Sequence, residues 1–487
     1  MKQYIFLVIM HILILSTAYA QTFPVIISSP EDEFCISIAS LDEIKYHTII
    51  SYLPAGIVDS ITLFSMNGLG EDKNFIQIHN ITSCDASDIQ IKSLKYSNSF
   101  IAFGNCYDTT TNDFQNYVLK LDENFDITLQ DTIGKLDLNE KTWDMFQDSS
   151  GYIYLSGTDY LDWNISYVYK YTDDLQMNNA VYFANLPPDY LYTLGMIGIL
   201  NNENSNTLTG FFPLSNNVME IDKATLAIEM EQVLNYDDRF ISLRRPAFLR
   251  DAKKYIIPFQ EYNSVLTKTK VNIVITDEYF NLLSEETFGN SADTNLTIAL
   301  DAIDYIDSNN IWIALTPYST PDVSFEEIPH YIHVIKMNSL GEILIENNFG
   351  GDANYVAQAV KATPDGGALI LCTRYDWTVQ DHERDIYIYK IDSAGNLVTT
   401  ATGIVPTPEQ KDILVFPNPA HDVLFFQSIL YENALIEIFD ISGKKIMQQL
   451  KTEYELAVDI STLSSGLYLY KVTSENILIK TGKFVKE

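Results

Sequence analysis

Basic side chains are scarce in this chain of 487 residues: Lys and Arg number 31 against 65 Asp and Glu, for a formal net charge of −34. A field of that sign repels phosphate backbones and anionic lipid, so neither nucleic acid nor a membrane surface is expected as a partner. Cysteine is sparser still, with only Cys35, Cys84, Cys106 and Cys372. No C-x-x-C occurs, so no zinc or dithiol motif is present. Cys84 and Cys106 are close enough in the chain to pair, but spacing alone leaves the connectivity open. Of seven histidines only His330 and His333 lie near one another, at an odd offset that sends strand neighbours to opposite faces. H-E-x-x-H, G-x-S-x-G and a phosphate-cradling glycine loop are all missing. No catalytic, cofactor or metal residue is therefore assigned. Acidic turns such as Asp122/Asn124/Asp126 are compatible with calcium, but they lack the glycine and closing glutamate of an EF-hand loop and read as ordinary hairpin chemistry.

Long apolar runs are also absent, so no membrane span is expected. The one short run is N-terminal: Lys2 precedes Ile5 to Leu15, and Ala18-Tyr19-Ala20 places small residues where a signal peptidase reads them. Residues 1–20 read as a signal peptide, with Ala18 and Ala20 at the cleavage site and Gln21 left as the first residue.

What the chain has in quantity is short apolar strands separated by turn residues. The clearest stretch, Ala359 to Gly403, places a strand before the P-D-G-G turn, a second at Ala368 to Thr373, a third at Ile386 to Ile391 and a fourth at Leu397 to Thr402. Four antiparallel strands make one propeller blade. The third-strand segment recurs, and the residues aligned with Lys390 are Ser65, Lys120, Lys170, Glu220, Val274 and Lys336. Their spacings of 55, 50, 50, 54, 62 and 54 suit blades rather than helical solenoids. The expected fold is all-β, with a seven-bladed β-propeller over residues 21–403. Pro406 and Pro408 mark a link at 404–411.

From Asp412 onward the composition changes, with ten acids against seven bases. Pro417 and Pro419 fix φ and favour an extended entry around Asn418. Apolar runs at Val423 to Phe426, Leu435 to Phe439 and Leu467 to Val472 are of strand length, and they describe a small immunoglobulin-like β-sandwich over 412–487. The ordered features V-F-P-N-P, Asp440 to Gly443, Asp459 to Tyr468 through Gly466, and a terminal basic strand with Lys483 and Lys486 resemble the C-terminal sorting domain of the type IX secretion system of Bacteroidetes-type bacteria. That resemblance implies export across the inner and outer membranes, to the cell surface or the outside. The implied partners are the secretion machinery and a sortase-like processing enzyme.

For the propeller itself, the expected role is binding or scaffolding of an extracellular ligand, a glycan or a protein, at the top loops or central channel. The alternative is a polysaccharide- or peptide-acting enzyme that gathers carboxylates from several blades at the channel, which one sequence does not display. The 62-residue spacing before Lys336 makes the loop carrying Glu326 and Glu327 a place to look for either.

Overall fold

The computed structural model describes residues 23–398 and 414–487, except the stretches 29–31, 54–56, 86–88, 109–112, 134–138, 160–164, 185–197, 202–205, 213–216, 235–239, 242–244, 264–267, 290–295, 318–328, 379–383, 428–433, 452–454 and 475–476 and the single positions 69, 71, 417 and 442. The expected signal peptide and the Glu326/Glu327 loop lie outside the described residues. No described helix is long and apolar enough to cross a membrane.

Strands fall into successive antiparallel sheets of four, each running from an inner to an outer strand in chain order. Residues 32–85, 90–133, 140–184, 198–233, 240–288 and 296–350 form the first to sixth blades. The fifth has its inner strand in two pieces, Phe240–Ile241 and Ala247–Leu249, on the same neighbour. A parallel bridge between Asp301 and Ala359 joins the sixth blade to the seventh. Ser65, Lys120, Lys170, Glu220, Val274, Lys336 and Lys390 all lie on the third strand of their blade. Each sheet hides its faces against its neighbours, as the clusters of buried side chains between adjacent blades show. Sheets stacked around an axis in this way form a β-propeller.

The seventh blade departs from the expectation. Of the fourth strand expected over Leu397 to Thr402, Leu397 makes one isolated bridge to Ile391 and residues 399–402 lie outside the described residues, while the strand Val25–Ile27 from the other end of the chain pairs with Arg384–Ile391. The reason is apolar burial. Phe23, Val25 and Ile27 are buried with Tyr46, Ile50, Leu369 and Ile388, filling the seam between the first and last blades.

The repeated turn residues also acquire a physical role. In the turns after the third strands of the second, fifth and seventh blades an Asp side chain, and in the sixth Asn338, accepts amide hydrogens two and four residues on, as Asp392 does from Ala394 and Asn396 at 2.9 and 2.8 Å. The fourth turn residue takes a left-handed φ, glycine at Gly341 and Gly395 but Leu175 and Phe280 in the third and fifth blades, and in the fourth blade, whose turn is one residue longer, Leu226 does so at the fifth place. Those three side chains are buried, and burial worth about 2 kcal/mol offsets a left-handed cost of about 1–2 kcal/mol. The aligned lysines clamp neighbouring blades. Lys120 reaches the Asp173 carbonyl at 2.7 Å, Lys170 that of Lys223 at 2.7 Å and Lys336 that of Ser393 at 3.2 Å, each in the next blade's turn. Lys390 breaks the series by bonding Thr363 and Asp365 of its own blade at 2.8 and 2.9 Å.

Two buried histidines make stability depend on pH. Burial lowers both His47, which lies between Phe100 and Phe125, and His330 to about 4. The unfolded chain protonates them near the ordinary value of 6.5, so it binds more protons than the native state between pH 6.5 and 4. Their contribution is complete above pH 6.5 and is lost as pH falls towards 4, at up to about 1.4 kcal/mol per pH unit for each ring. The urea midpoint should fall over that window, and His47→Phe should reduce the slope. A midpoint level from pH 7 to 4.5 would contradict this.

The last 74 residues, 414–487, form a sandwich. Its sheets are Leu414–Phe416 with Val423–Gln427 and Glu455–Asp459, and Lys445–Lys451 with Ala434–Asp440, Gly466–Ser474 and Ile477–Lys486. Leu424, Phe426, Ile436, Ile438, Val472 and Phe484 fill the space between them.

Candidate functional site

The inner strands surround a cavity of about 380 Å3 on the propeller axis. Each blade contributes, with Ser40 from the first, Lys92 and Ser93 from the second, Asp144 from the third, Leu200 from the fourth, Arg245 and Phe248 from the fifth, Asp301 and Asp304 from the sixth and Lys361 from the seventh. Inner strands would ordinarily alternate their side chains between neighbouring blades. Here the pairing register shifts between Thr142 and Asp144 and between Ile298 and Ile303. Such bulges re-aim side chains. These turn Asp144 and Asp301 toward the axis.

The charges so placed interlock. Lys92 Nζ lies 2.6 Å and Arg245 Nε 3.0 Å from Asp144 Oδ1. Arg245 also pairs with Asp301 and donates to the Gln90 side-chain oxygen and the Trp143 carbonyl. Lys361 Nζ stands 2.7 Å from Asp304, whose carboxylate also accepts the Ala362 amide at 2.9 Å. Burial opposes the charge of Asp301, but Arg245, Lys92 and Lys361 together hold its carboxyl below the usual range. Burial likewise opposes the charge of Lys361, and Asp304 overcomes it and raises the amine. Near the cavity mouth Lys95 and Arg250 are exposed, Tyr96 is 50% exposed, and Phe248 and Tyr305 are half-buried.

None of this ladder stood out as a site in the sequence. The only signal was a polar residue inside an otherwise buried strand, as in the Asp of TWDMF or the Lys of AVKAT. The histidine pair lies elsewhere: His330 is buried, and His333 bonds Asn348 at 2.6 Å and Glu346 at 3.0 Å. Among the described residues no group of three His, Cys, Asp or Glu side chains could hold a metal ion. Asp122 accepts the amides of Asn124 and Asp126 at 2.8 and 2.9 Å, the hydrogen bonds of a turn. Cys35 and Cys372 are buried free thiols, both pushed up by burial. Cys35 sits in the apolar cluster between the seventh and first blades, Cys372 in the one on the sixth-blade side. Cys84 and Cys106 lie on described strands, but their side chains are outside the described ones.

In the sandwich the first and last motifs meet. Asn418 Oδ1 accepts the Val485 amide at 2.8 Å, the Ala420 amide donates to the Val485 carbonyl at 2.8 Å, and Ala420 bridges Lys486. Lys486 itself is buried and bonds the Glu487 carbonyl, whereas Lys483 points to solvent. Asp440 and Gly443 close a hairpin through a 2.9 Å bond from the Gly443 amide, with Gly443 at φ 84°. Asp459 accepts hydrogen bonds from the Ser461 side chain and from the Ser461 amide, the latter at 2.9 Å, and the two hold its carboxyl below the ordinary range. Gly466 begins the strand on which Tyr468 bonds the Ser464 carbonyl at 2.9 Å and stacks on Phe484. Pro417 lies outside the described residues, and Pro419 follows a cis bond from Asn418.

Residues 414–487 match the secretion system C-terminal sorting domain. Such a domain indicates export, to the cell surface or the outside, and contact with the secretion machinery. No curated protein matches the chain in sequence. Among solved structures, the chain is similar to the β-propeller domain of Cps50 (Swd1) from Myceliophteria thermophila at 8% identity and TM-score 0.42, covering 75% of this chain and 98% of that one. It is also similar to a protein from Lactobacillus plantarum at 10% identity and TM-score 0.45, covering 73% and 94%. A protein of unknown function from Bacteroides caccae is similar at 8% identity and TM-score 0.37, covering 63% and 94%.

Proposed function

We propose that this is an exported binding protein: a ring of seven blades over residues 21–403 presents its axial cavity to an extracellular ligand, and a sandwich over 412–487 directs its passage through the type IX machinery. The observation that carries the binding role is the cavity itself, to which every blade contributes a residue. Pockets of that size suit one small ligand or one end of a larger one. Binding is favoured over turnover because each carboxylate there is spent on a cation: Asp144 on Lys92 and Arg245, Asp301 on Arg245, Asp304 on Lys361. A general acid needs a carboxyl held neutral near working pH, and Asp301 is driven the other way.

Residues 1–20 act in this reading as a signal cleaved after Ala20, and a sortase-like enzyme removes the sandwich after the outer membrane is crossed. Deleting residues 412–487 should retain the propeller in the periplasm, measured by fractionation, and normal appearance of the truncated chain outside would overturn the export route. For the cavity, Ser93→Trp should abolish binding to whatever a glycan and protein array retains. Retention unaffected by that substitution would move the site elsewhere.

A further inference from the structure

We infer that the outward face of the sandwich's four-stranded sheet is the surface by which the export machinery takes hold of this chain, and that the receiving surface is apolar with an acidic rim; this rests on the type IX route proposed above. The residues that mark the sandwich in the sequence are mostly spent inside it. Asn418 ties the last strand, Asp440 and Gly443 close a hairpin, Asp459 holds its own turn and Lys486 is buried. They fix a shape, and a partner meets what that shape exposes. Lys483 differs from them, since it points to solvent from the last strand.

Ile436, Ile438, Val472 and Phe484 of that sheet point into the core. Strand alternation therefore turns Leu467, Leu469 and Val485 outward, and with Leu450 of the edge strand they are 39 to 51% exposed. Pairing sets them side by side: Leu467 lies opposite Val485, and Leu469 lies between Phe439 and Lys483. Among the described residues, every large apolar side chain that the sandwich exposes belongs to this sheet or its hairpin turn, and none to the three-stranded sheet. Contiguous apolar surface rimmed by polar groups marks an interaction site. Charge is distributed just as unevenly. The sandwich has ten acids and seven bases, yet this face carries Lys445, Lys471 and Lys483 around Glu437, which the first two share at 3.0 and 3.5 Å. The surplus is positive and fits a partner of the opposite sign. It also argues against a second copy, because a two-fold pairing would set like charges face to face.

The test is export of the full chain from its own cells, read by fractionation and immunoblotting, for Leu467→Thr/Leu469→Thr, for Lys471→Glu/Lys483→Glu, and for Ala457→Glu on the exposed side of the other sheet as control. The expected result is a fall of at least about tenfold in the protein found outside for the apolar variant and a smaller fall for the charge reversal, with the precursor held in the periplasm and the control exported like the parent. Threonine keeps the preference for a strand, and the melting temperature of each purified chain is measured alongside. If the apolar variant melts early, the charge reversal decides alone, since both of its side chains reach solvent. Export of a folded apolar variant or of the charge reversal at the parent's level, or an equal block by Ala457→Glu, overturns the inference. So does a self-association or a cross-link to the propeller that the parent shows and the variants lose, which would assign the face to the chain itself. If the chain without residues 412–487 also reaches the outside, the route fails; if only the substituted chains do, the route stands and the docking face does not.

Discussion

Val25→Asp should lower the stability of the propeller by about 4 kcal/mol or more and shift its urea midpoint accordingly. Val25 is fully buried and its strand completes the last blade, so the new carboxylate would sit in the apolar seam between Ile388, Leu369 and Tyr46. The neighbouring residue supplies the control. Ile26 lies on the opposite side of the same strand and is 50% exposed, so Ile26→Asp keeps the backbone pairing with Tyr387 and should cost little. Equal effects of the two substitutions would mean that the strand does not close the ring.

Arg245→Met should cost about 3–5 kcal/mol at neutral pH, because it strands Asp144 and Asp301 at the axis with one fewer cation between them. The lost energy belongs mainly to the abandoned carboxylates, so adding Asp301→Asn should recover part of it. Mild acid should narrow the gap as well. In the parent chain the carboxyl of Asp301 is held low, so its contribution is complete above the unfolded value and is lost as pH falls through the folded one. In the variant that carboxyl protonates more readily, and the deficit shrinks toward pH 4. Measured urea midpoints of the parent, the single and the double variant at pH 7 and 4.5 decide it; additive effects with no pH dependence would reject the ladder.

How much of this could be read beforehand follows from which forces act locally. The Lys and turn signals of the sixth and seventh blades were legible because glycine marks a left-handed turn by itself. The third and fifth blades carry Leu175 and Phe280 at the same position and the fourth carries Leu226 one residue later, and only burial against neighbouring strands makes that geometry acceptable. A residue chosen for its tertiary environment leaves no local mark, and those repeats look degenerate for that reason. The strand Val25–Ile27 was missed for a related cause: its partner lies some 360 residues away, and three residues carry little pattern. The ladder at the axis depends on register shifts in inner strands, which follow from pairing rather than from composition. In the sandwich, by contrast, Asn418, Asp440, Gly443 and Gly466 sit at turns or ends where each acts on backbone near it or on the last strand, and sequence order was a fair guide.

The pairing that closes the ring also decides how the molecule answers a pull. Val25 lies opposite Ile388 and Ile27 opposite Ile386, so the upstream end of the first strand and the downstream end of its partner leave from the same end of the ladder. Tension applied between the N-terminus and the sorting domain therefore loads the hydrogen bonds one after another, as in opening a zipper, rather than all together in shear. The join that completes the propeller at rest is its mechanically weakest seam along that axis. A machine that draws the chain by its C-terminal domain against a held N-terminus would open the ring there first.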